Sequence, residues 1–451
     1  MTVGIDIGTT SVKAVAAGDG GEVLARARVP HDVRIPVPGA LEHDVDRAWR
    51  TGVLAALGRV ASGRQVAAVV VAAMVPSLAA VGRDGRAAGP GLLYGDHRGE
   101  RPDRDPSQPG DAGELVAFLG WLAGRYPEAT GYWPAQAVAN HALTGRAAVD
   151  TTTAMAALPL FDGTGWDASV AAAAGVATGA LPALVPGVEP AGTVLGGLAA
   201  AGAVVGGGTV DALAEQIVAG ADAAGDVLVL CGTTLITWGA VEGWAEAPGL
   251  WTVPHTAAGL CLIGGPSNAG GLFLDRARRW LGPVRPADLD AVEPDDLPVW
   301  LPYVRGERTP LHRRDLRAAL DGLALHHDRA HLVRAAYEAA GFVVRHHVDL
   351  GRAAGLAPRR IVATGGGTRS GRWMRALADT TGLPVAVAAV PEGAALGAAF
   401  VARCVAGLEG SMTDAARWAR TGRTVEPDPR WVVAAERRYE RFRSLGAAAL
   451  G

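Results

Sequence analysis

The sequence predicts an α/β protein of two domains built from a duplicated unit. At about 100–200 residues per domain, its 451 residues predict two or three domains. Residues 3–7, 12–16 and 22–29 read as three short strands separated by Gly-rich turns. Residues 227–238 repeat the first strand–turn–strand pattern about half a chain length downstream. Helical and strand patterns follow elsewhere in the chain, which favours an α/β fold.

The individual elements support that class. Helical apolar spacing predicts helices at 47–60, 332–350 and 373–381, and apolar runs predict strands at 66–73 and 360–363. In the repeated hairpin, Gly8-Thr9-Thr10 corresponds to Gly232-Thr233-Thr234. The repeat predicts one Gly-Thr-Thr turn in each domain, on either side of a cleft. Two unrelated hairpins are the alternative, because such a triplet also arises by chance.

Composition excludes several classes of protein. Lys and Arg total 42 against 45 Asp and Glu, a net charge of −3, which argues against a generic nucleic-acid binder. Three cysteines without CxxC spacing argue against a disulfide scaffold or a zinc ribbon. The N-terminus lacks the pattern of a signal peptide, and no apolar run reaches the ~20 residues of a membrane span. We therefore expect a cytoplasmic protein that does not bind a membrane.

Lysine is almost absent, which limits the chemistry further. Lys13 is the single lysine, and it follows Val12, so the chain has no Walker A motif. The Gly-rich loop and strand lysine of protein kinases are also missing. Any function that requires a catalytic lysine elsewhere is excluded.

The first hairpin turn favours phosphate chemistry. Gly8 lets the backbone approach an anion, while Thr9 and Thr10 add hydroxyl donors. Asp6 is placed to hold a hydrated Mg²⁺, which prefers one or two carboxylates, and Lys13 can reach back as a cation. A strand-end acid that only caps a turn is the alternative for Asp6. An acid among Val, Ile and Gly is costly to bury without a role, so the metal site is favoured.

Two further Gly-rich segments carry candidate residues. Gly365-Gly366-Gly367 follows a predicted strand, and Ser370 precedes a helix, a context that permits nucleotide binding at a helix N-terminus. An ordinary strand–helix turn would look the same. Asp211 follows Gly206-Gly207-Gly208 and begins a helix running to about residue 219. It is either a first-turn or capping acid or a general base that accepts a hydroxyl proton.

Together these segments resemble the FGGY family of carbohydrate kinases, which has the duplicated actin-like (ribonuclease H-like) ATPase fold. Residues 6–13 resemble the first phosphate motif of that family, 232–234 the second, and 365–370 its adenosine motif. Residues 318–338 satisfy the C-terminal family signature at every position, and 301–310 resemble the LPYxxGERTP stretch of xylulokinases. The early E-H/Q-D-P loop is present at 42–44, with Val45 in place of Pro. The resemblance covers nearly the whole chain.

The resemblance implies a role for each matching residue. Asp211 matches the catalytic base, and Asp6 the acid that engages Mg²⁺ through water. The residues that match contacts to ATP are Gly8, Thr9, Thr10, Lys13, Gly232, Thr233, Thr234, Gly270, Gly365, Gly366, Gly367 and Ser370. The resemblance implies domains at 1–220 and 221–451 with the ATP cleft between them, and ATP with Mg²⁺ as cofactors. The implied activity is phosphoryl transfer from ATP to a sugar or polyol hydroxyl, with a pentulose such as D-xylulose as the substrate.

The sugar side departs from the xylulokinase pattern. Met74-Val75-Pro76-Ser77-Leu78 replaces a Gly-Gln-Met-His-Gly run, so the expected sugar-contacting histidine is missing. Residues 94–98 retain Asp96 and Arg98 of a Trp-Asn-Asp-x-Arg stretch. We expect Ser77, Asp96 and Arg98 on the substrate side. Another ketose, a polyol or a sugar acid (ribulose or glycerol, for example) is the alternative substrate, and a non-catalytic nucleotide-dependent sensor is the alternative function.

Two remaining expectations concern partners and metals. The apolar side of the C-terminal helix suggests packing on the body of the protein or a homodimer. The pairs His326-His327 and His346-His347 have no acid at ligand spacing in the sequence, which favours solvated or capped histidines over a metal site.

Overall fold

The computed structural model describes residues 1–99, 114–255 and 259–449. The chain divides into two compact units, Met1–Val218 with Glu392–Trp418, and Ala219–Pro391 with Ala419–Gly451. The division after residue 218 lies beside the predicted boundary at 220. The segment 392–418, which the sequence assigned to the second domain, lies in the first unit because its helix packs on that unit's sheet.

Thirteen strands are described in the first unit. They are β1 (Thr2–Ile7), β2 (Ser11–Ala17), β3 (Val23–Pro30), β4 (Glu42–His43), β5 (Ala68–Ala73), β6 (Ser77–Val81), β7 (Gly91–Leu93), β8 (Gly131–Trp133), β9 (Ala148–Asp150), β10 (Ala183–Val185), β11 (Pro190–Thr193), β12 (Val204–Gly206) and β13 (Thr209–Val210). The second unit continues with β14 (Asp226–Cys231), β15 (Leu235–Glu242), β16 (Trp251–Pro254), β17 (Leu260–Ser267), β18 (Val299–Leu301), β19 (Ala319–Asp321), β20 (Arg360–Thr364), β21 (Val385–Ala388) and β22 (Thr421–Val425).

The α-helices of the described residues connect and cover these strands. They are α1 (Gly52–Ala61), α2 (Glu114–Arg125), α3 (Ala135–Thr144), α4 (Thr151–Ala154), α5 (Ala168–Ala173), α6 (Asp211–Ala219), α7 (Gly271–Leu281), α8 (Pro286–Asp290), α9 (Arg329–Ala353), α10 (Gly371–Thr381), α11 (Gly393–Val405) and α12 (Pro429–Ala448). A π-helical segment, Asp46–Thr51, leads into α1, so the helix predicted at 47–60 begins in a wider turn. No helix in the described ranges is both long and apolar enough to cross a membrane.

Each unit contains a seven-stranded sheet, and the two sheets are built in the same way. The first has the order β11-β12-β5-β1-β2-β3, with β13 also paired to β5, and the second has the order β16-β17-β15-β14-β20-β21-β22. In the first, β1 is antiparallel to β2 and parallel to β5. In the second, β14 is antiparallel to β15 and parallel to β20. The duplicated α/β fold predicted from the repeated hairpin is therefore confirmed.

The central strands are apolar because helices or further chain cover both of their faces. Every residue of β1 and of β5 is buried, as expected for strands in the middle of a covered sheet. Gly4 permits the closest of these contacts: a Cβ atom there would lie 1.9 Å from the carbonyl oxygen of Ala395 in α11. Smaller sheets, β4-β7-β6-β8 and β9-β10, belong to the first unit, and β18-β19 to the second.

Candidate functional site

The first unit brings Asp6, Lys13 and Asp211 to one edge of its sheet. Asp6 on β1 pairs in register with Lys13 on β2 and with Ala72 on β5, and Ala72 pairs with Thr209 on β13. These four residues therefore lie at one level across neighbouring strands, which are about 4.8 Å apart. Asp211 follows Thr209 by two residues, where β13 ends and α6 begins. Residues from distant parts of the chain thus meet at the carboxyl end of the parallel strands.

The charges in this cluster perturb one another. The Lys13 Nζ atom lies 2.9 Å from Oδ2 of Asp6, whose side chain is only 6% exposed, and the carboxylate raises the pKa of the lysine. Burial, followed by the charge of Asp6, raises the pKa of Asp211 to about 6. The N–H of Ala212 donates to Oδ1 of Asp211 at 2.7 Å and partly offsets that rise. Asp211 is therefore a stronger base than an ordinary carboxylate but is still mostly ionised at neutral pH.

A hydrogen bond from the buried side chain of His43 holds the first Gly-Thr-Thr turn in place. The indole N–H of Trp49 donates to Nδ1 of His43 at 3.0 Å, which leaves the proton of the neutral ring on Nε2. Nε2 then donates to the carbonyl oxygen of Thr9 at 2.8 Å. Burial lowers the pKa of His43 to about 4, so the ring stays neutral at physiological pH. The histidine of the early E-H-D segment therefore supports the turn.

The two threonines of this turn differ in exposure. The Thr9 hydroxyl lies 3.2 Å from that of Tyr94, and Thr9 is partly buried. Thr10 is exposed, and its carbonyl oxygen accepts from the N–H of His31. The N–H of Gly8 donates to the carbonyl of Ser11, which closes the turn. The turn is thus held from behind while Thr10 faces outward.

Two amide side chains on α3 support the segment that carries Asp211, and the sequence reasoning missed both. The Gln136 amide donates to the carbonyl oxygens of Ala73 and Thr209, each at 3.2 Å, and so joins the ends of β5 and β13. Asn140, one turn later, donates to the carbonyl of Gly207 at 2.8 Å. Both amides are fully buried. The signal in the sequence is two amides four residues apart on an otherwise alanine-rich helix.

The predicted sugar-side residues Asp96 and Arg98 bind each other. Arg98 Nε and Nη2 lie 2.8 and 2.5 Å from the two carboxylate oxygens of Asp96, and Nη1 donates to Glu42 at 2.7 Å. The Asp96 carboxylate also accepts from the N–H of Leu41 at 2.6 Å. Hydrogen bonds from Arg98 and the backbone lower the pKa of Asp96 despite its burial. The pair therefore joins the segment around Glu42 to the segment around Arg98.

Ser77, the third predicted sugar-side residue, is fully buried at the start of β6. Its hydroxyl oxygen accepts from the N–H of Ala135 at 3.2 Å, in the first turn of α3. Asp96 is fully buried as well. In this structure Ser77 and Asp96 support neighbouring backbone, and their contact with a sugar stays a prediction.

In the second unit, the second Gly-Thr-Thr turn lies against the start of α7. The N–H of Gly271 donates to the carbonyl of Gly232 at 2.9 Å. A Cβ atom on Gly270 would lie 2.3 Å from the carbonyl carbon of Thr234, and one on Gly271 would lie 2.6 Å from the Gly232 oxygen. Any side chain at either glycine would therefore push the helix away from the turn. These distances show that the predicted residue Gly270 lies directly beside the predicted turn.

The predicted adenosine motif, residues 365–370, lies beside the strand that leads into the same turn. Because β20 is parallel to β14, the motif begins beside the end of β14. Gly365 has a φ of +90°, and Cβ atoms on Gly365 and Gly367 would lie 3.0 and 2.8 Å from the carbonyl oxygen of Cys231. Gly366 is exposed, and a Cβ atom there would have no neighbour within 4 Å. Ser370 caps α10 by accepting from the backbone N–H of the third helical residue at 3.3 Å.

A buried carboxyl group supports the strand that leads to Gly270. Glu307 accepts from the Ser267 hydroxyl at 2.6 Å and from the Asn268 N–H at 2.8 Å. Burial raises the pKa of Glu307 to about 7. The sequence showed the GERTP motif around this residue without assigning it a role. Its contacts fix the end of β17, from which the chain passes to Gly270.

The side chains of this site suit Mg²⁺ and a polyphosphate. Asp6 and Asp211 offer carboxylate oxygens, the ligands that Mg²⁺ prefers, and Lys13 offsets part of their charge. In the second unit, the glycines bring backbone close together around an outward-facing turn, where N–H groups suit an anion. The structure therefore brings predicted phosphate residues together within each unit, and the predicted metal residue Asp6 lies with those of the first unit.

Comparison with known proteins agrees with this chemistry. Residues 1–112 match the N-terminal domain of the FGGY family of carbohydrate kinases, and residues 275–406 match its C-terminal domain. The xylulose kinase of Escherichia coli (strain K12) is 27% identical over 477 aligned positions, which cover 99% of this chain and 98% of that protein.

Solved structures extend the similarity over the whole fold. The xylulose kinase from Rhodospirillum rubrum has a TM-score of 0.80 and 30% identity, covering 99% of this chain and 98% of that one. The gluconate kinase from Lactobacillus acidophilus has a TM-score of 0.83 and 20% identity, covering 100% and 98%. Proteins named for different sugars share this fold, so the fold alone does not identify a substrate.

Proposed function

Because the chain belongs to the FGGY family of carbohydrate kinases, we propose that it transfers the γ-phosphoryl group of ATP to a hydroxyl of a pentulose such as D-xylulose. The relatives named xylulose kinase, which align over nearly the whole chain, support the pentulose. The enzyme is a carbohydrate kinase that uses ATP and Mg²⁺. The observation that carries the proposal is the position of Asp211 beside Asp6 and Lys13, at the edge of the parallel strands.

Asp211 is the general base. A hydroxyl group attacks a phosphoryl group only as it loses its proton, so a carboxylate must accept that proton during transfer. With a pKa of about 6, Asp211 is mostly ionised at neutral pH and more basic than a solvated aspartate. The donation from Ala212 and the fixed end of β13 orient the carboxylate. General-base assistance contributes ~10²–10⁴-fold in rate.

Each unit, taken by itself, offers groups that suit phosphate. In the first unit Lys13 supplies positive charge, and Gly8, Thr9 and Thr10 supply N–H and hydroxyl donors. The nucleotide contacts proposed in the second unit are Gly232, Thr233, Thr234, Gly270, Gly365, Gly366, Gly367 and Ser370. Their close backbone packing favours main-chain recognition of the nucleotide.

Asp6 would hold Mg²⁺, through water as the family resemblance implies. When bound there, Mg²⁺ would neutralise charge on the phosphates and on the transferring group. The ion pair between Lys13 and Asp6, at 2.9 Å, orients the Asp6 carboxylate. Asp6 has the additional effect of raising the pKa of Asp211.

Ser77, Asp96 and Arg98 are proposed to act on the sugar side of the site. They do so mainly by fixing the shape of the backbone near the sugar. Their side chains contact protein groups, and the xylulokinase-type histidine is absent. A ribulose, glycerol or sugar-acid kinase is therefore the alternative. The retained Asp211 and Asp6 favour catalysis over a sensor role. A homodimer and a cytoplasmic location stay predictions.

A panel assay tests the proposed function. ADP release is measured with Mg·ATP and pentuloses, hexuloses, polyols or sugar acids, using wild type, Asp211→Asn and the control Asp222→Asn. Asp222 is an exposed acid just beyond α6. We expect a pentulose to stimulate wild type and the control, and Asp211→Asn to lose at least ~10²-fold in kcat.

Two results would contradict the proposal. Stimulation that survives in Asp211→Asn would show that another group is the base. If no compound stimulates wild type while ATP still binds, the catalytic proposal fails in favour of the sensor.

A further inference from the structure

The side chain of Tyr94 meets the first Gly-Thr-Thr turn through its hydroxyl group. Its phenolic oxygen lies 3.2 Å from Oγ1 of Thr9, although the two residues are 85 positions apart in sequence. Tyr94 directly follows β7 and stands where the Trp-Asn-Asp-x-Arg stretch has tryptophan. A tryptophan at that position would offer only a ring N–H, so a contact between two hydroxyl groups depends on the tyrosine of this chain.

The position of Tyr94 is fixed by its ring and by the residues next to it. The half-buried ring packs against the apolar cluster that contains the inward residues of β1 and β2. The N–H of Gly95 donates to Oε1 of the buried Glu114 at 2.8 Å. The N–H of Asp96 donates to the carbonyl oxygen of Leu93 at 3.1 Å. The phenolic hydroxyl is therefore held at the turn and is not carried by a loosely attached surface chain.

The backbone of Thr9 is fixed by other groups. Nε2 of His43 donates to its carbonyl oxygen at 2.8 Å, and the N–H of Gly8 donates to the carbonyl of Ser11 at 3.1 Å. These bonds hold the main chain of the turn but leave the direction of the Thr9 hydroxyl proton undetermined. The contact with Tyr94 is the printed contact of that hydroxyl in the described part of the chain.

The chemistry of the two hydroxyl groups decides which one donates. A threonine hydroxyl has one proton and two lone pairs. A phenol is the better donor and the poorer acceptor, because the ring withdraws electron density from its oxygen. Tyr94 therefore donates to Thr9, and the Thr9 proton remains available for a third group. Accepting a hydrogen bond also makes the Thr9 hydroxyl a stronger donor, since linked hydrogen bonds polarise one another.

We propose that Tyr94 is a positioning residue for ATP, which holds the Thr9 hydroxyl so that its proton is donated to a phosphate oxygen. This inference rests on the proposed contact of Thr9 with the phosphates. A hydrogen bond to a charged oxygen is stronger than one between neutral groups, so the direction of this single proton affects the affinity for the nucleotide. Tyr94 acts on ATP only through Thr9.

The test measures the affinity of the full chain for Mg·ATP by calorimetry, without sugar, and then the steady-state constants. The variants are Tyr94→Phe, Thr9→Val and the double variant, which together form a double-mutant cycle. Tyr94→Phe removes one oxygen atom, and Thr9→Val keeps the shape of the side chain. Tyr132→Phe is the matched control, because the Tyr132 hydroxyl donates to the carbonyl of Tyr126 at the same distance of 3.2 Å in the same unit.

We expect Tyr94→Phe to weaken Mg·ATP binding about fivefold and Thr9→Val to weaken it at least ~10-fold. Adding Tyr94→Phe to Thr9→Val should cost less than about a further twofold, because the group through which Tyr94 acts is already gone. In Thr9→Ser, which keeps the hydroxyl, Tyr94→Phe should again cost about fivefold. The control should bind as wild type does, and melting temperatures check that each variant folds.

Two results would overturn this proposal. The first is an equal loss from Tyr94→Phe in the wild-type and Thr9→Val backgrounds, which would show that Tyr94 acts independently of Thr9. The second is a rise in the KM for the sugar with unchanged Mg·ATP affinity, which would make Tyr94 a sugar contact. Because the binding cycle needs no sugar, a wild type that binds Mg·ATP but phosphorylates no compound would overturn the proposed function and leave the cycle as the test of Tyr94.

Discussion

Asp211→Asn should lower kcat at least ~10²-fold and at the same time stabilise the protein. Burial and the charge of Asp6 raise the pKa of Asp211 from 3.8 to about 6, so the folded protein disfavours the ionised carboxylate that it carries at neutral pH. A rise of that size is equivalent to about 3 kcal/mol at pH 7. Because Asp211 retains some solvent exposure, we discount this to a stabilisation of about 1–2 kcal/mol on neutral substitution.

The gain should depend on pH in a defined direction. The folded state binds the Asp211 proton more tightly than the unfolded state does, so the stability supplied by this group is fully present below pH 3.8 and is lost as the pH rises through about 6. Asparagine does not titrate, so the variant does not lose this stability as the pH rises. The advantage of Asp211→Asn should therefore be full at pH 7–8 and about half as large at pH 5.

Thermal denaturation of the ligand-free protein at pH 5 and pH 7.5 measures both quantities. For a unit of this size, 1–2 kcal/mol corresponds to a rise of about 3–6 °C in melting temperature. Asp222→Asn, which removes an exposed acid, controls for the change in net charge. A melting temperature that falls at pH 7.5, or a gain that is equal at both pH values, would refute the assignment of Asp211 as a buried acid with a raised pKa.

Three further outcomes follow from the same geometry. The kcat/KM of wild type should fall about tenfold per pH unit below about pH 6, as Asp211 is protonated, and a profile that is flat down to pH 5 would exclude this base. Gly270→Ala should lower the free energy of unfolding by about 1–3 kcal/mol and raise the KM for ATP, because its Cβ would lie 2.3 Å from Thr234. Gly410→Ala is the control, since a Cβ there meets open space, and it should change neither the denaturation curve nor the steady-state KM. Gln136→Leu should lower kcat about tenfold with less than about a twofold change in the KM for ATP, because it removes the two hydrogen bonds that fix the strand leading to Asp211. A change in KM without a change in kcat would contradict that positioning role.

The elements of the fold were predictable because their patterns are local. The strands predicted at 3–7 and 12–16 are β1 and β2, and the helix predicted after Asp211 is α6. Their apolar periodicity reflects burial on both faces of a central sheet. The repeated Gly-Thr-Thr turn was also visible, since a hairpin turn depends on only a few consecutive residues.

Side-chain networks were not predictable, because they depend on which segments the topology makes neighbours. Gln136 acts by joining two strands that are far apart in sequence, and nothing local to α3 identifies those strands. Arg98 was expected to face a sugar, yet its nearest acceptors are Asp96 and Glu42. The contact of Asp296 with His326 and His327 escaped notice for the same reason, since the two histidines lie 30 or more residues downstream, and the interpretation of that pair as lacking a nearby acid is wrong.

The two copies of the hairpin show why the proposed metal ligand lies in the first unit. Position 6 is Asp and position 13 is Lys, whereas the corresponding positions of the second hairpin are Leu230 and Thr237, both buried. A buried carboxylate is tolerable at position 6 because Lys13 pairs with it across the hairpin, at 2.9 Å. The same acid at 230 would lack a paired cation on the facing strand and would cost several kcal/mol. The second copy is therefore restricted to backbone and hydroxyl donors, which suit phosphate recognition but cannot supply a metal ligand or a base.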